Sequence, residues 1–273
     1  MGTLSALMNL SQEALMADQS ALNVTAANVA NQNTPGYTRQ VVSWQQTDAV
    51  TLSGLTYSTG ITSSAVSQRS RILEQQVQQQ TQTQSQSGAV ESALQQVQNI
   101  FGLSSSATSA SLTALGSATD TFFNSLSALE ANPADAATRQ SVLAAANDLA
   151  SVFNSSANQL QQVTAGLNQQ VTDVTGQINT LTASIASLNQ QIFGSGVQGD
   201  AGVLEDQRQY AITQLSQYIG LNQMTTEANG ITLTTSNGAL LVSGSQSYAM
   251  STTLVAGTVH VLAGGGSQDV TSG

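Results

Sequence analysis

Three places in the sequence hold residue types that could do chemistry. Gly194, Gly196 and Gly199 spell G-x-G-x-x-G, a loop whose backbone amides can cradle a pyrophosphate. Such a site needs a strand before the loop and a helix opening on it. The residues before Gly194 have helical periodicity instead, so these glycines are read as ending a helix and reversing the chain. Asp200, Glu205 and Asp206 could gather a divalent cation. Carboxylates at the start of a helix are favoured by its macrodipole without any metal, and that plainer reading is adopted. His260 is the only histidine and falls in a predicted strand, and there is no cysteine. One histidine without a paired nucleophile builds no triad, so it is taken as an ordinary strand residue. Asn9-Leu10-Ser11 and Asn23-Val24-Thr25 match the glycosylation sequon but lie on a predicted helix and are read as chance. No catalytic, cofactor or metal residue is assigned, and an enzyme is not expected.

Composition narrows the partners. Only 7% of the residues are charged, lysine is absent, and the five cations are Arg39, Arg69, Arg71, Arg139 and Arg208. A net charge of -10 repels phosphate, which argues against nucleic acid. Without cysteine there is no disulfide and no thiol chemistry. The N-terminal residues have no basic segment followed by a clean apolar one, so no cleaved Sec signal is expected, and no apolar run is long enough to span a membrane.

What remains is helix. Met8, Leu15, Leu22 and Val29 recur every seven residues in a helix expected over 3–31, with Leu4 one turn earlier. Ser11, Asp18 and Thr25 fill the matching second row, so this half-polar stripe needs a partner helix. Leu73 and Val77 begin a second helix. Val90, Leu94, Val97 and Phe101 continue it to a Gly/Ser loop over 102–111. Leu115, Phe122, Leu126 and Leu129 mark a third, and Asn132 and Pro133 suit the cap and first turn of a fourth. That fourth helix is expected to run to about Phe193. Val171, Val174, Ile178, Leu181, Ile185, Leu188 and Ile192 alternate spacings of three and four along it. Some 60 residues at about 1.5 Å each make a rod of about 90 Å, which suits spanning rather than enclosing a small molecule. A shorter helix with Leu204, Ala211, Leu215 and Ile219 follows, and after Gly220 the period becomes two, with a hairpin turn at Asn237-Gly238.

Between the first two helices lies "NTPGYTRQ", residues 33–40. Asn31 and Asn33 tolerate left-handed geometry and can end a helix. Pro35 pushes Thr34 to an extended conformation, and Pro35-Gly36 fits the centre of a type II turn. Tyr37 supplies a rigid ring, either to lock the turn or to anchor a neighbour. Arg39 has no acidic residue near it in sequence; an interface pair and a solvated surface position both stay open. Residues 38–66 read as a long extended arm without a core-sized set of strands.

The helix ending in Asn28, Asn31, Asn33, Thr34, Pro35, Gly36 and Tyr37 resembles the signature of bacterial flagellar axial proteins. Its continuation through Arg39, with residues 132–153, 177–192 and 204–221, is similar to the hook-associated protein 1 family of the hook–filament junction. The resemblance covers roughly residues 1–250. It implies a structural subunit, exported by the flagellar type III system without a cleaved signal and placed outside the cell in the flagellum. It implies hook protein, the second junction protein and further copies of the chain as partners, with room for a flagellar export chaperone. It also implies that the first helix pairs with a C-terminal helix of the same chain. None is found in this sequence, which is shorter than the family, so the first helix is expected to lack its partner and move freely. Another axial protein, of hook or distal rod, and a non-flagellar helical stalk are the alternatives. The expected fold is mainly α: an elongated, coiled-coil-like bundle with an extended N-terminal arm and a small, truncated antiparallel β region. The domains expected are an assembly helix over 1–32, a turn and linker arm over 33–66, a rod domain over 67–221 and the start of an outer β domain over 222–273.

Overall fold

Long stretches free of proline, rich in alanine, leucine and glutamine, make helix the dominant element. A computed structural model describes residues 2–46, 49–52, 55–58, 60–101, 114–195, 202–225, 230–264, 266 and 268–271. Among these, five helices occur: α1 (Gly2–Ala30), α2 (Arg71–Phe101), α3 (Ala114–Ala131), α4 (Ala136–Ser195) and α5 (Gly202–Leu215). The strands are β1 (Gln40–Gln46), β2 (Ala49–Leu52), β3 (Leu55–Ser58) and β4 (Ile61–Ser67) between α1 and α2. After α5 come β5 (Leu221–Thr225), β6 (Ile231–Thr235), β7 (Leu240–Ser243), β8 (Gln246–Ser247), β9 (Ser251–Val255), β10 (Thr258–Ala263) and β11 (Gln268–Asp269). The fold is mainly helical with small antiparallel sheets. The loop expected over 102–111, and Gly196, Gly199 and Asp200, lie outside the described residues.

The chain divides into two compact units: residues 1–83, 175–251 and 261–273 form the first, and 84–174 with 252–260 the second. In the first, α1 lies on the pair formed by β1 and β4. The strands within 38–66 are therefore extended as read, but paired with one another rather than single. β1 and β4 are antiparallel from Gln40 opposite Ser67 to Gln46 opposite Ile61, and β2 pairs with β3. The sequence hid this because Val41, Val42, Trp44 and their partners show no clean two-residue alternation. A Cβ on Gly60 would overlap Oε2 of Glu13, so the bare glycine makes room for a carboxylate of α1.

The core of this unit joins the C-terminal third of α4 to α5 and the second sheet. Ile178, Ile185, Leu188 and Ile192 of α4 are buried with Ile212 and Leu215 of α5 and Ile231, Leu233, Leu241 and Val242 of the sheet. The sheet order is β5-β6-β7-β8. At its Asn237-Gly238 turn, Gly238 has φ 82° and its N–H donates to the Thr235 carbonyl at 2.9 Å. Two asparagines of α4 supply backbone partners to this region. Asn179 donates to the Met250 carbonyl at 2.8 Å and accepts from the Met250 N–H at 2.7 Å. Asn189 donates to the carbonyls of Ile231 at 2.9 Å and Gly244 at 2.8 Å.

The second unit contains the rest of α2, α3, the first two thirds of α4 and the hairpin between β9 and β10. That hairpin turns through Ala256 (φ 51°) and Gly257 (φ 86°). Asn168 holds it, donating to the Gly257 carbonyl at 2.9 Å and accepting from the Val259 N–H at 3.1 Å. Helix α4 begins three residues later than Pro133 would have it. Asp135 caps it, accepting from the N–H groups of Ala137 and Thr138 at 3.2 and 3.3 Å, while the Asn132 carbonyl closes the preceding turn. A carboxylate at that place gains from the macrodipole where an amide does not. Val90, Leu94, Phe123, Leu143 and Phe153 of this unit are exposed.

Candidate functional site

Helix α1 has two different faces. Ala17 is buried, and Glu13, Ala14, Ser20, Ala21, Val24, Ala27 and Asn28 are half-buried. Their spacing of three and four residues puts these mostly small side chains along one side, and α1 rests on β1 and β4. Small residues let backbone approach backbone, and the heptad in large residues masked them in the sequence. Met8, Leu15, Leu22 and Val29 face away; Leu22 is 70% exposed and Val29 64%. Leu7 and Met16 widen this stripe. The helix is thus seated on its own chain through the face opposite the heptads, and the heptad stripe itself stays uncovered among the described residues. The hydroxyls of Ser11 and Thr25 donate to the carbonyls of Leu7 and Ala21, each at 2.9 Å. Two of the three polar groups in the second row are satisfied inside the helix.

The turn after α1 is closed by side chains. Asn31 and Asn33 do not take left-handed backbone; Gly36 does, at φ 81°. Asn31 donates back to the Ala27 carbonyl at 3.0 Å and accepts from the Thr34 hydroxyl at 3.2 Å. The Tyr37 N–H then donates to the Thr34 carbonyl at 3.2 Å across Pro35-Gly36. Asn28 ties both ends together. Its Oδ1 accepts from the Tyr37 hydroxyl and from the Gln40 N–H, both at 2.9 Å, and its Nδ2 donates to the Gln40 carbonyl at 2.8 Å. Tyr37 locks the turn, because its rigid ring carries a hydroxyl back to the helix it has just left. Arg39 is exposed, and its carbonyl accepts from the Gln68 N–H at 2.9 Å.

Sequence reading missed the residues that hold this turn to α5. Asp206 is buried; its Oδ1 pairs with the Arg69 guanidinium and its Oδ2 accepts from the Thr38 N–H at 3.0 Å. Arg69 also donates to the carbonyls of Glu205 at 3.2 Å and Gly202 at 3.4 Å. Arg208 is buried and donates to Oδ1 of Asn189 at 2.9 Å. Burial holds its pKa below the ordinary arginine value; Glu205 opposes that shift and Arg69 adds to it. These groups make ion pairs and helix-end contacts, not a metal shell. Among the described residues no three acidic or histidine side chains converge to hold an ion. Only the charge count hinted at them: in so weakly charged a chain, each arginine is a candidate for a buried role.

Of the seven seam residues on α4, Ile178, Ile185, Leu188 and Ile192 are buried, and Val171, Val174 and Leu181 are half-buried. His260 lies on β10. Among the described residues no helix is long and apolar enough to cross a membrane.

Comparison with known proteins places this arrangement. The model of the flagellar hook-associated protein FlgK helical domain matches residues 94–272. That of the flagella basal body rod protein matches residues 8–38, which cover α1 from Met8 and the turn. The chain is 29% identical over 245 residues to flagellar hook-associated protein 1 of Escherichia coli (strain K12), covering 89% of this chain and 44% of that one. It is 28% identical over 244 residues to the Bacillus subtilis (strain 168) protein of the same name, covering 86% and 47%. It therefore spans less than half the length of these relatives. The solved structure of the flagellar hook junction protein FlgK from Burkholderia pseudomallei superposes with a TM-score of 0.56 at 28% identity, over 72% of this chain and 35% of that one.

Proposed function

Since the chain belongs to the family of the flagellar hook-associated protein FlgK helical domain, we propose that it is a structural subunit of the hook–filament junction that assembles by helix packing. The family's role is structural rather than enzymatic. The observation that carries the assembly reading is the stripe of Met8, Leu15, Leu22 and Val29, turned away from the ribbon on which α1 rests. Burying Leu15 and Leu22 against neighbouring helices contributes about 1.5–3 kcal/mol each. The hydroxyls of Ser11 and Thr25, bonded within the helix, enter such an interface without losing partners. The match of residues 8–38 to a rod protein supports placing this segment in the axial stack.

On this reading residues 1–32 are the assembly helix. The turn from Asn28 through Arg39 sets its direction, and the seam from Val171 to Ile192 stiffens α4. Hook protein, the second junction protein and copies of the chain itself supply the packing helices, and the flagellar type III system delivers the subunit. The test is Leu22→Asp in the chromosomal copy of the gene. The variant protein is expected to melt within about 1 °C of the parent, because exposed sites contribute little to stability, and to be absent from labelled hook tips. Normal incorporation at hook tips would overturn the reading.

A further inference from the structure

We propose that Asp206 and Tyr210, one turn apart on α5, form a receptor for the Pro35-Gly36 turn, and that this docking fixes how α1 and its ribbon are held on α5 within the first unit. Asn28, Tyr37 and Gln40 join the last turn of α1 to the first residue of β1, so helix, turn and ribbon behave as one body. The receptor is where that body meets α5. A Cβ added to Gly36 would come within 2.9 Å of the Tyr210 Cβ and 3.0 Å of its Cδ2. The glycine is required by this close approach as well as by its positive φ. Two residues on, the Thr38 N–H reaches Oδ2 of Asp206 at 3.0 Å. The other oxygen of the same carboxylate takes Arg69, just beyond β4.

One buried carboxylate thus gathers both ends of the ribbon that carries α1, the chain just before β1 and the chain just after β4. A carboxylate at 6% exposure is expensive to bury unless it is fully used, and each of its oxygens here has a charge-assisted or backbone partner. Arg208 carries the connection onward, binding Asn189 of α4. Within the first unit the path runs from signature turn to α5 to α4, through side chains that carry the function at neither end.

This proposal does not rest on the junction role and is tested in purified protein. Hydrogen exchange followed by mass spectrometry compares the parent with Asp206→Ala, Asp206→Asn and Tyr210→Ala. In Asp206→Ala, peptides over 34–40 and 61–69 are expected to exchange about ten-fold faster or more, while peptides over 178–192 and 231–242 stay as in the parent. Tyr210→Ala should loosen 34–40 and leave 61–69 unchanged. Unchanged protection at 34–40 in Asp206→Ala overturns the proposal, and so does a uniform rise in every peptide, which would make the clasp a general stability contact. Should the alanine variant fail to fold, the isosteric Asp206→Asn decides by the same criterion: selective loosening of the two segments supports the receptor, and a uniform rise or no change overturns it.

Discussion

Helix α1 and the C-terminal third of α4 repeat apolar residues at heptad spacing, yet meet opposite surroundings. On α4, Ile185 is fully buried and Ile178 and Ile192 nearly so. On α1, Met8, Leu15, Leu22 and Val29 are all more than half exposed. The difference lies in what occupies the second row and the opposite face. Along α4 both rows are aliphatic, and Asn179 and Asn189 add fixed bonds to the strands around Met250 and Ile231. Along α1 the second row is Ser11, Asp18 and Thr25, while mostly small residues, Ala14, Ala17, Ser20, Ala21 and Ala27 among them, make the face on which the helix sits. A heptad stripe names an apolar face; it does not say whether its partner is in the same chain.

The contrast can be broken by substitution. Ile185→Ala should destabilise the first unit by about 2–5 kcal/mol, while Leu15→Ala should stay within about 0.5 kcal/mol in the same denaturant titration. Equal losses would mean that the stripe of α1 is buried in the isolated chain after all. Asn189→Ala removes bonds to the Ile231 and Gly244 carbonyls and an acceptor of the buried Arg208 guanidinium. A loss of about 1–3 kcal/mol is expected, and an unchanged midpoint would show that packing alone holds α4 to the sheet. Among the hydrogen-bonding residues the smaller loss is expected from Tyr37→Phe, about 1 kcal/mol, because Asn28 keeps both its bonds to Gln40. That loss should be local, with faster exchange over 34–40 and an unshifted signal from 178–192; a shift in both would tie the turn to the core more tightly than its own bonds do.

The helices were legible because their apolar spacing persists over many turns, and α4 is the clearest example. The turn at Pro35-Gly36 was legible because only glycine accepts its backbone easily. The ribbon of β1 and β4 was not: the face of α1 that covers it is built mostly of small residues, and the ribbon's own residues show no pure alternation. Asn132 and Asp135 are both residue types that cap, and which one does depends on where the turn between them closes.

By itself the sequence determined the lengths and apolar faces of its helices, the position of its one sharp signature turn, and the absence of cysteine chemistry, because these follow from residue identity and local backbone preference. Tertiary structure alone decided that α1 sits on a ribbon through its small residues, that Asp206 unites Thr38 with Arg69, and that the seam of α4 shares a core with α5 and a sheet. Those outcomes join residues far apart in the chain, and which distant groups meet is settled by the joint burial of apolar surface and the partners that buried groups such as Asp206 find.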